Sequence, residues 1–152
     1  MKVLVIGATG NVGTAVVQVL NKKNVPYRAT VRNIEAAKEL DEVRLVEFDY
    51  SNPETYQKAV EGIDRVFLLA PPLHPDAVGL VKPFIEFLKN ETKINRIVYC
   101  GGMGLGKNPA MDVHERLSAY IKKNGFDYTI LLPAFFAQNF KNFEYETSHN
   151  VE

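Results

Sequence analysis

The stretch Val3-Leu4-Val5-Ile6-Gly7-Ala8-Thr9-Gly10-Asn11-Val12-Gly13 decides how this chain is read. Four apolar residues run straight into three evenly spaced glycines. The glycines open a segment whose Val12, Val16, Val17 and Leu20 recur at helical spacing. A strand that turns through glycines into a helix can hold a diphosphate at the helix N-terminus, where unpaired amides and the positive dipole end favour an anion. Gly7 allows the tight turn, Gly10 lets backbone amides approach the pyrophosphate, and Gly13 lets helix and strand pack closely. Thr9 and Asn11 add polar contacts, and Val12 lies on the same turn. The expected cradle is therefore Gly7, Thr9, Gly10, Asn11, Val12 and Gly13. A glycine turn serving only chain reversal is the alternative, and the flanking strand and helix weigh against it.

The same alternation continues along the chain. Short apolar runs predict strands over Lys2–Ile6, Tyr27–Val31, Arg44–Phe48, Arg65–Leu69, Arg96–Cys100 and Tyr128–Leu132, separated by amphipathic stretches. Nearly continuous apolar strands fit a parallel sheet covered on both faces. The expectation is an α/β Rossmann-type fold, a doubly wound parallel sheet of about six strands with five helices. Ser51-Asn52-Pro53-Glu54 supplies a cap, a first-turn proline and an acid for a helix running to about Glu61, which Gly62 closes. Gly125 closes a helix over roughly Asp112–Asn124 in the same way. Pro83 falls inside the amphipathic stretch Asp76–Asn90 and is expected to kink or divide it.

With 152 residues and no repeat, low-complexity tract or linker, the chain reads as one domain over 1–152, long enough to bury about 68–70% of its unfolded surface. Eighteen basic residues balance eighteen acidic ones, so no net field recruits nucleic acid or an anionic membrane. The single cysteine, Cys100, offers neither a disulfide nor a cysteine metal site, which fits a reducing compartment, the cytoplasm. No metal is expected. The partner expected is a small-molecule substrate, with a second copy of the chain or a regulatory protein left open.

Other candidate residues lie at the carboxyl ends of the predicted strands, where ligands gather in such sheets. Arg32 ends the second strand with no acid before Glu35, an arrangement that suits the 2′-phosphate of NADP; the alternative is a solvated strand-end arginine, with NAD as the cofactor. Asp49 follows the third strand and reads equally as a contact near the adenine or as a turn residue. Ala70 and Pro71 end the fourth strand and would wall the ribose and nicotinamide side. Cys100 ends the fifth strand beside Gly101-Gly102, as a contact to the cofactor or a buried inert thiol. His74 and His114 are the neutral-range proton carriers near these edges. His74 precedes Pro75 and serves equally as a helix start. His114, early in the helix after the fifth strand, is the candidate catalytic residue, a plain surface histidine being the alternative.

Taken together, the opening glycine stretch, Val31-Arg32-Asn33, Gly62-Ile63-Asp64-Arg65-Val66-Phe67-Leu68-Leu69, Tyr128-Thr129-Ile130-Leu131-Leu132-Pro133 and Phe136-Ala137-Gln138-Asn139-Phe140 resemble the NmrA-like branch of the atypical short-chain dehydrogenases/reductases. The resemblance covers essentially the whole chain. It implies an NADP-binding domain, in a branch whose members include quinone reductases, other reductases and redox-sensing regulators without catalysis. Two departures stand out. The superfamily's Tyr-x-x-x-Lys pair is missing, since Tyr99, Tyr120 and Tyr128 have no lysine four residues on. The related quinone reductases carry a glutamate four residues after their histidine, whereas here Ser118 follows His114. The family also continues into a C-terminal substrate region that this chain lacks, so a fragment of a longer protein is an expectation too. The activity expected is hydride transfer from NADPH to a quinone-like or other small carbonyl acceptor; the alternative is a non-catalytic NADP(H)-sensing module.

Overall fold

The computed structural model describes residues 1–37, 44–72, 74–102 and 109–134. Within them the chain alternates strand and helix: β1 (Val3–Val5), α1 (Asn11–Lys22), β2 (Tyr27–Val31), a 3₁₀ turn (Glu35–Ala37), β3 (Leu45–Glu47), α2 (Glu54–Val60), β4 (Arg65–Leu69), α3 (Ala77–Glu91), β5 (Arg96–Cys100), α4 (Pro109–Lys123) and β6 (Asp127–Leu131). The strands form one sheet in the order β3-β2-β1-β4-β5-β6, and every neighbouring pair is parallel. The strand order reverses between β1 and β4, which leaves a crevice at their carboxyl ends. This is the doubly wound Rossmann arrangement that the alternation predicts.

Period-two alternation divides the core between the two faces of the sheet. Leu4, Val66, Leu68, Ile97 and Tyr99 point to one face, where α2, α3 and α4 bring Tyr56, Val81, Phe84, Leu88, Leu117 and Ile121. Val5, Ala29, Phe67 and Cys100 point to the other, where Val12, Val16, Val17 and Leu20 of α1 cover them. An aromatic knot fastens the first face: Phe48 lies 5.5 Å from Tyr56 and 4.8 Å from Phe84, ring centre to ring centre. The first pair is stacked and the second edge-on, and contacts of these kinds add about 0.5–1.5 kcal/mol beyond the area buried.

Local chemistry sets the helix ends. After Lys22, Asn24 takes a left-handed φ of 52° and the Val25 amide reaches back to the Leu20 carbonyl, a glycine-type stop made here by asparagine. Gly62 and Gly125 adopt φ of 67° and 79° after α2 and α4, as expected of closing glycines. The start of α2 differs by one residue from expectation. Pro53 holds the cap position without a side-chain bond, and Asn52 instead accepts the Glu54 amide.

Pro83 neither divides nor ends its segment: α3 runs unbroken from Ala77 to Glu91. Two features explain this. Pro83 and Gly79, whose carbonyl loses its usual donor, both lie on the exposed side, where water replaces the missing bond. Val78, Val81, Phe84, Ile85 and Leu88 are buried on the opposite side, so packing holds both halves in register. No helix among the described residues is long and apolar enough to cross a membrane.

Candidate functional site

The glycine turn connects β1 to α1 with a geometry that admits little else. Gly7 has φ of 72°, and its carbonyl accepts the Gly10 amide at 3.0 Å. Gly13 sits against that same peptide, since a Cβ there would lie 2.0 Å from the Gly7 oxygen. Gly10, by contrast, has room for a Cβ, with 3.5 Å to the same oxygen. Its missing side chain is therefore not demanded by packing. The cap of α1 makes no side-chain hydrogen bond and its first turn holds no acid, so the helix end is left electropositive. Thr9, Gly10 and Asn11 are exposed there, while Val12 is partly buried on the α1 face of the core.

Two hydroxyls brace the turn. Thr30, buried in β2, accepts the Gly7 amide at 3.3 Å, and Thr14 donates to the Ala8 carbonyl at 3.0 Å. Neither residue stands out in the sequence. A β-branched threonine inside a strand reads as packing, and only the β1–β2 pairing brings Thr30 beneath Gly7.

On the neighbouring strand ends, Arg32 is exposed immediately after β2. Asp49, after β3, is tied into its own turn, with Oδ1 accepting the Ser51 amide at 2.8 Å and the Ser51 hydroxyl at 2.7 Å. These two bonds, with a smaller contribution from the Arg32 charge, hold its carboxyl below the usual carboxylate range. Ala70 and Pro71 are partly buried just after β4. The Tyr50 phenol donates to the Leu69 carbonyl at 2.8 Å, fastening the β3 end to the β4 end. Burial pushes that phenol well above its ordinary value, so it stays a donor.

Cys100 packs in the apolar cluster with Val5, Ala8 and Phe67, and burial pushes its thiol up, which suppresses the thiolate. His74 is exposed, and its Nδ1 accepts the Asp76 amide at 3.1 Å at the start of α3. His114 is half-buried on α4 and meets the end of β5: its Nδ1 lies 2.7 Å from the phenol oxygen of Tyr99, which is fully buried. A Cβ on Gly101 would lie 3.0 Å from that same Nδ1, so the missing side chain leaves room for the ring. Burial lowers the His114 pKa. The stretch Phe136–Phe140 lies outside the described residues.

Arg32, the glycine turn, Ala70-Pro71 and the Gly101–His114 contact thus sit at the carboxyl ends of β2, β1, β4 and β5, four strands adjacent in that order. At 4.7–4.9 Å between strands this array spans about 14 Å. A family model described as NAD(P)H-binding matches residues 7–151. The chain belongs to that NAD(P)H-binding family, within the NmrA-like group of atypical short-chain dehydrogenases/reductases. Among relatives of this NAD(P)H-binding domain, Prestalk A differentiation protein A of Dictyostelium discoideum is 34% identical over 92% of the chain and 46% of that protein. NAD(P)H azoreductase of Xenophilus azovorans is 30% identical over 90% of the chain and 49% of that protein. The domain spans about half the length of these relatives. It also superposes with a TM-score of 0.81 on triphenylmethane reductase of Citrobacter sp. complexed with NADP(H), at 28% identity over 98% of this chain and 55% of that one.

The residues present fit a dinucleotide. The open amide end of α1 suits the pyrophosphate, and the close Gly7–Gly13 packing holds that end against β1 with no side chain between.

Proposed function

We propose that this domain binds NADPH in preference to NADH and serves a reductase acting on a quinone-like or other small carbonyl acceptor. One observation carries the reading: the uncapped N-terminus of α1 opens between the end of β2, which bears an exposed Arg32, and the end of β5, against which His114 packs. In this reading Gly7, Gly10 and Gly13 hold the pyrophosphate, with Thr9 and Asn11 contacting it, and Arg32 pairs with the 2′-phosphate. Asp49, Ala70, Pro71 and the backbone at Cys100 border the same crevice. When bound, NADPH supplies the hydride. His114 donates a hydrogen bond to the acceptor oxygen as the hydride arrives, and the anionic product then takes its proton from the imidazolium form of His114 or from water. Quinones demand little acid assistance, which is why the missing Tyr-x-x-x-Lys pair is tolerable.

A second reading is a non-catalytic NADP(H)-binding regulatory module. The missing proton relay and the similarity to a differentiation protein favour it. NADPH oxidation with a benzoquinone, an azo dye and a triphenylmethane dye as acceptors separates the two. Turnover that falls at least tenfold in His114→Ala supports the reductase. Tight NADP(H) binding with no turnover on any of the three supports the regulatory module.

A further inference from the structure

The contact between β5 and α4 specifies more than the position of His114. Tyr99 is fully buried, and among the described residues its hydroxyl has one partner, His114 Nδ1 at 2.7 Å. The Ser118 hydroxyl, one turn further along α4, donates to the His114 carbonyl at 2.6 Å and makes no hydrogen bond with Tyr99. Two assignments of the proton satisfy the Tyr99–His114 distance. If Nδ1 carried the proton and donated to the phenol oxygen, the phenol's own hydrogen would face the buried interior with no acceptor. If the phenol donates to Nδ1, both groups are satisfied, and the imidazole proton must reside on Nε2.

We propose that Tyr99 is a positioning residue that holds His114 in the tautomer protonated on Nε2, leaving that N–H as the group offered to a substrate oxygen. The proposal deepens the reductase reading and rests on it for the role of Nε2. Two further observations support the assignment. Burial drives the Tyr99 phenol well above its ordinary range, so it remains a proton donor at any working pH. Among the described residues, no buried side-chain nitrogen or oxygen lacks a partner, and His114 Nε2 makes no hydrogen bond to any of them, so Nε2 is not sealed in the core.

Gly101 completes the arrangement. A Cβ at that position would lie 3.0 Å from His114 Nδ1, 3.1 Å from His114 Cγ and 3.1 Å from Tyr99 Cε1. The bare backbone lets both rings come together over the end of β5. Burial alone lowers the His114 pKa, with no charged neighbour contributing, so at neutral pH the ring is chiefly neutral and its tautomer decides which nitrogen can donate.

The test is ¹⁵N NMR of the full chain labelled at histidine, above the His114 titration midpoint, with His74→Asn and His149→Asn used for assignment. The expected result is one tautomer, with the His114 Nδ1 signal of the unprotonated type and Nε2 of the protonated type. Tyr99→Phe should raise the His114 midpoint by roughly half to one pH unit, because a hydrogen bond to the neutral form is lost. A wild-type Nδ1 that carries the proton overturns the proposal, and this arm decides even if Tyr99→Phe does not fold. A folded Tyr99→Phe with an unmoved midpoint also overturns it. The single Nε2–H tautomer together with unchanged turnover in His114→Ala supports the positioning by Tyr99 while overturning the proton-donor role of His114.

Discussion

Gly13 packs on the peptide of Gly7 so closely that a Cβ at residue 13 would lie 2.0 Å from the Gly7 carbonyl oxygen and 2.8 Å from the Ala8 Cα. Both obstacles are backbone atoms, so no rotamer change can relieve the overlap. Gly13→Ala should push α1 off β1, cost about 1–3 kcal/mol or more of stability, and weaken dinucleotide binding with it. Gly10→Ala meets only ordinary contact at 3.5 Å, so it should leave the denaturation midpoint nearly unchanged while its methyl obstructs the pyrophosphate. Denaturant melts beside calorimetric titrations check the pair. Equal loss of stability in both variants would refute this division of roles.

Thr30 should matter for the same turn although it lies on another strand. Thr30→Val keeps the shape and removes the acceptor of the Gly7 amide. Leaving a partly buried amide unpaired costs about 1–3 kcal/mol. Thr30→Ser should recover much of that. Thermal melts of the three proteins give the answer, and a Thr30→Val variant as stable as wild type would show that the bond is dispensable.

Arg32→Ala should reduce NADP affinity roughly ten- to hundredfold, the worth of one charge-assisted hydrogen bond, while NAD binding stays nearly unchanged. Parallel titrations with the two cofactors measure the ratio. Equal losses for both would point to a general effect on the fold rather than a contact to the 2′-phosphate.

His114 should make stability depend on pH. Its folded pKa is lowered from 6.5 by burial. The unfolded chain therefore binds a proton more readily than the folded one as pH falls below about 6.5. The contribution of this group to stability is complete above that pH and is lost as pH falls through the folded pKa. His114→Gln should flatten the stability profile across this window. Proton delivery from the imidazolium should follow the opposite trend, with turnover rising on acidification until the fold is compromised. Urea melts from pH 5 to pH 8 on both proteins test the first part, and parallel slopes would contradict it.

The parts of this molecule that depend on local spacing were legible before the structure. β4 and β5 have the predicted bounds, because an apolar run between turn residues needs no tertiary information. β6 begins one residue earlier than expected, at Asp127, whose backbone pairs with Arg96 although its side chain is polar. The glycine turn was legible for the same reason as the strands. Pro83 does not divide its segment, because its local cost is outweighed by the buried side chains around it, from Val78 to Leu88. At the site, Arg32, Asp49, Ala70, Pro71, Cys100 and His114 could be placed at strand ends from sequence order, yet their partners could not. The Tyr99–His114 bond joins residues 15 positions apart through the packing of α4 on the sheet, and the Thr30–Gly7 bond joins residues 23 apart through strand pairing. Neither spacing repeats a helical or strand period. A side chain whose role is set by what a different element brings to it leaves no pattern of its own.

The open end of α1, flanked by Arg32, should hold the diphosphate of NADP(H). Calorimetric titration of the purified chain with NADPH, NADP, NADH and NAD tests it most directly. Saturable binding of one dinucleotide per chain is expected, with the phosphorylated cofactors roughly ten- to hundredfold tighter and the preference abolished in Arg32→Ala. A folded chain with no measurable affinity for any of the four would contradict it.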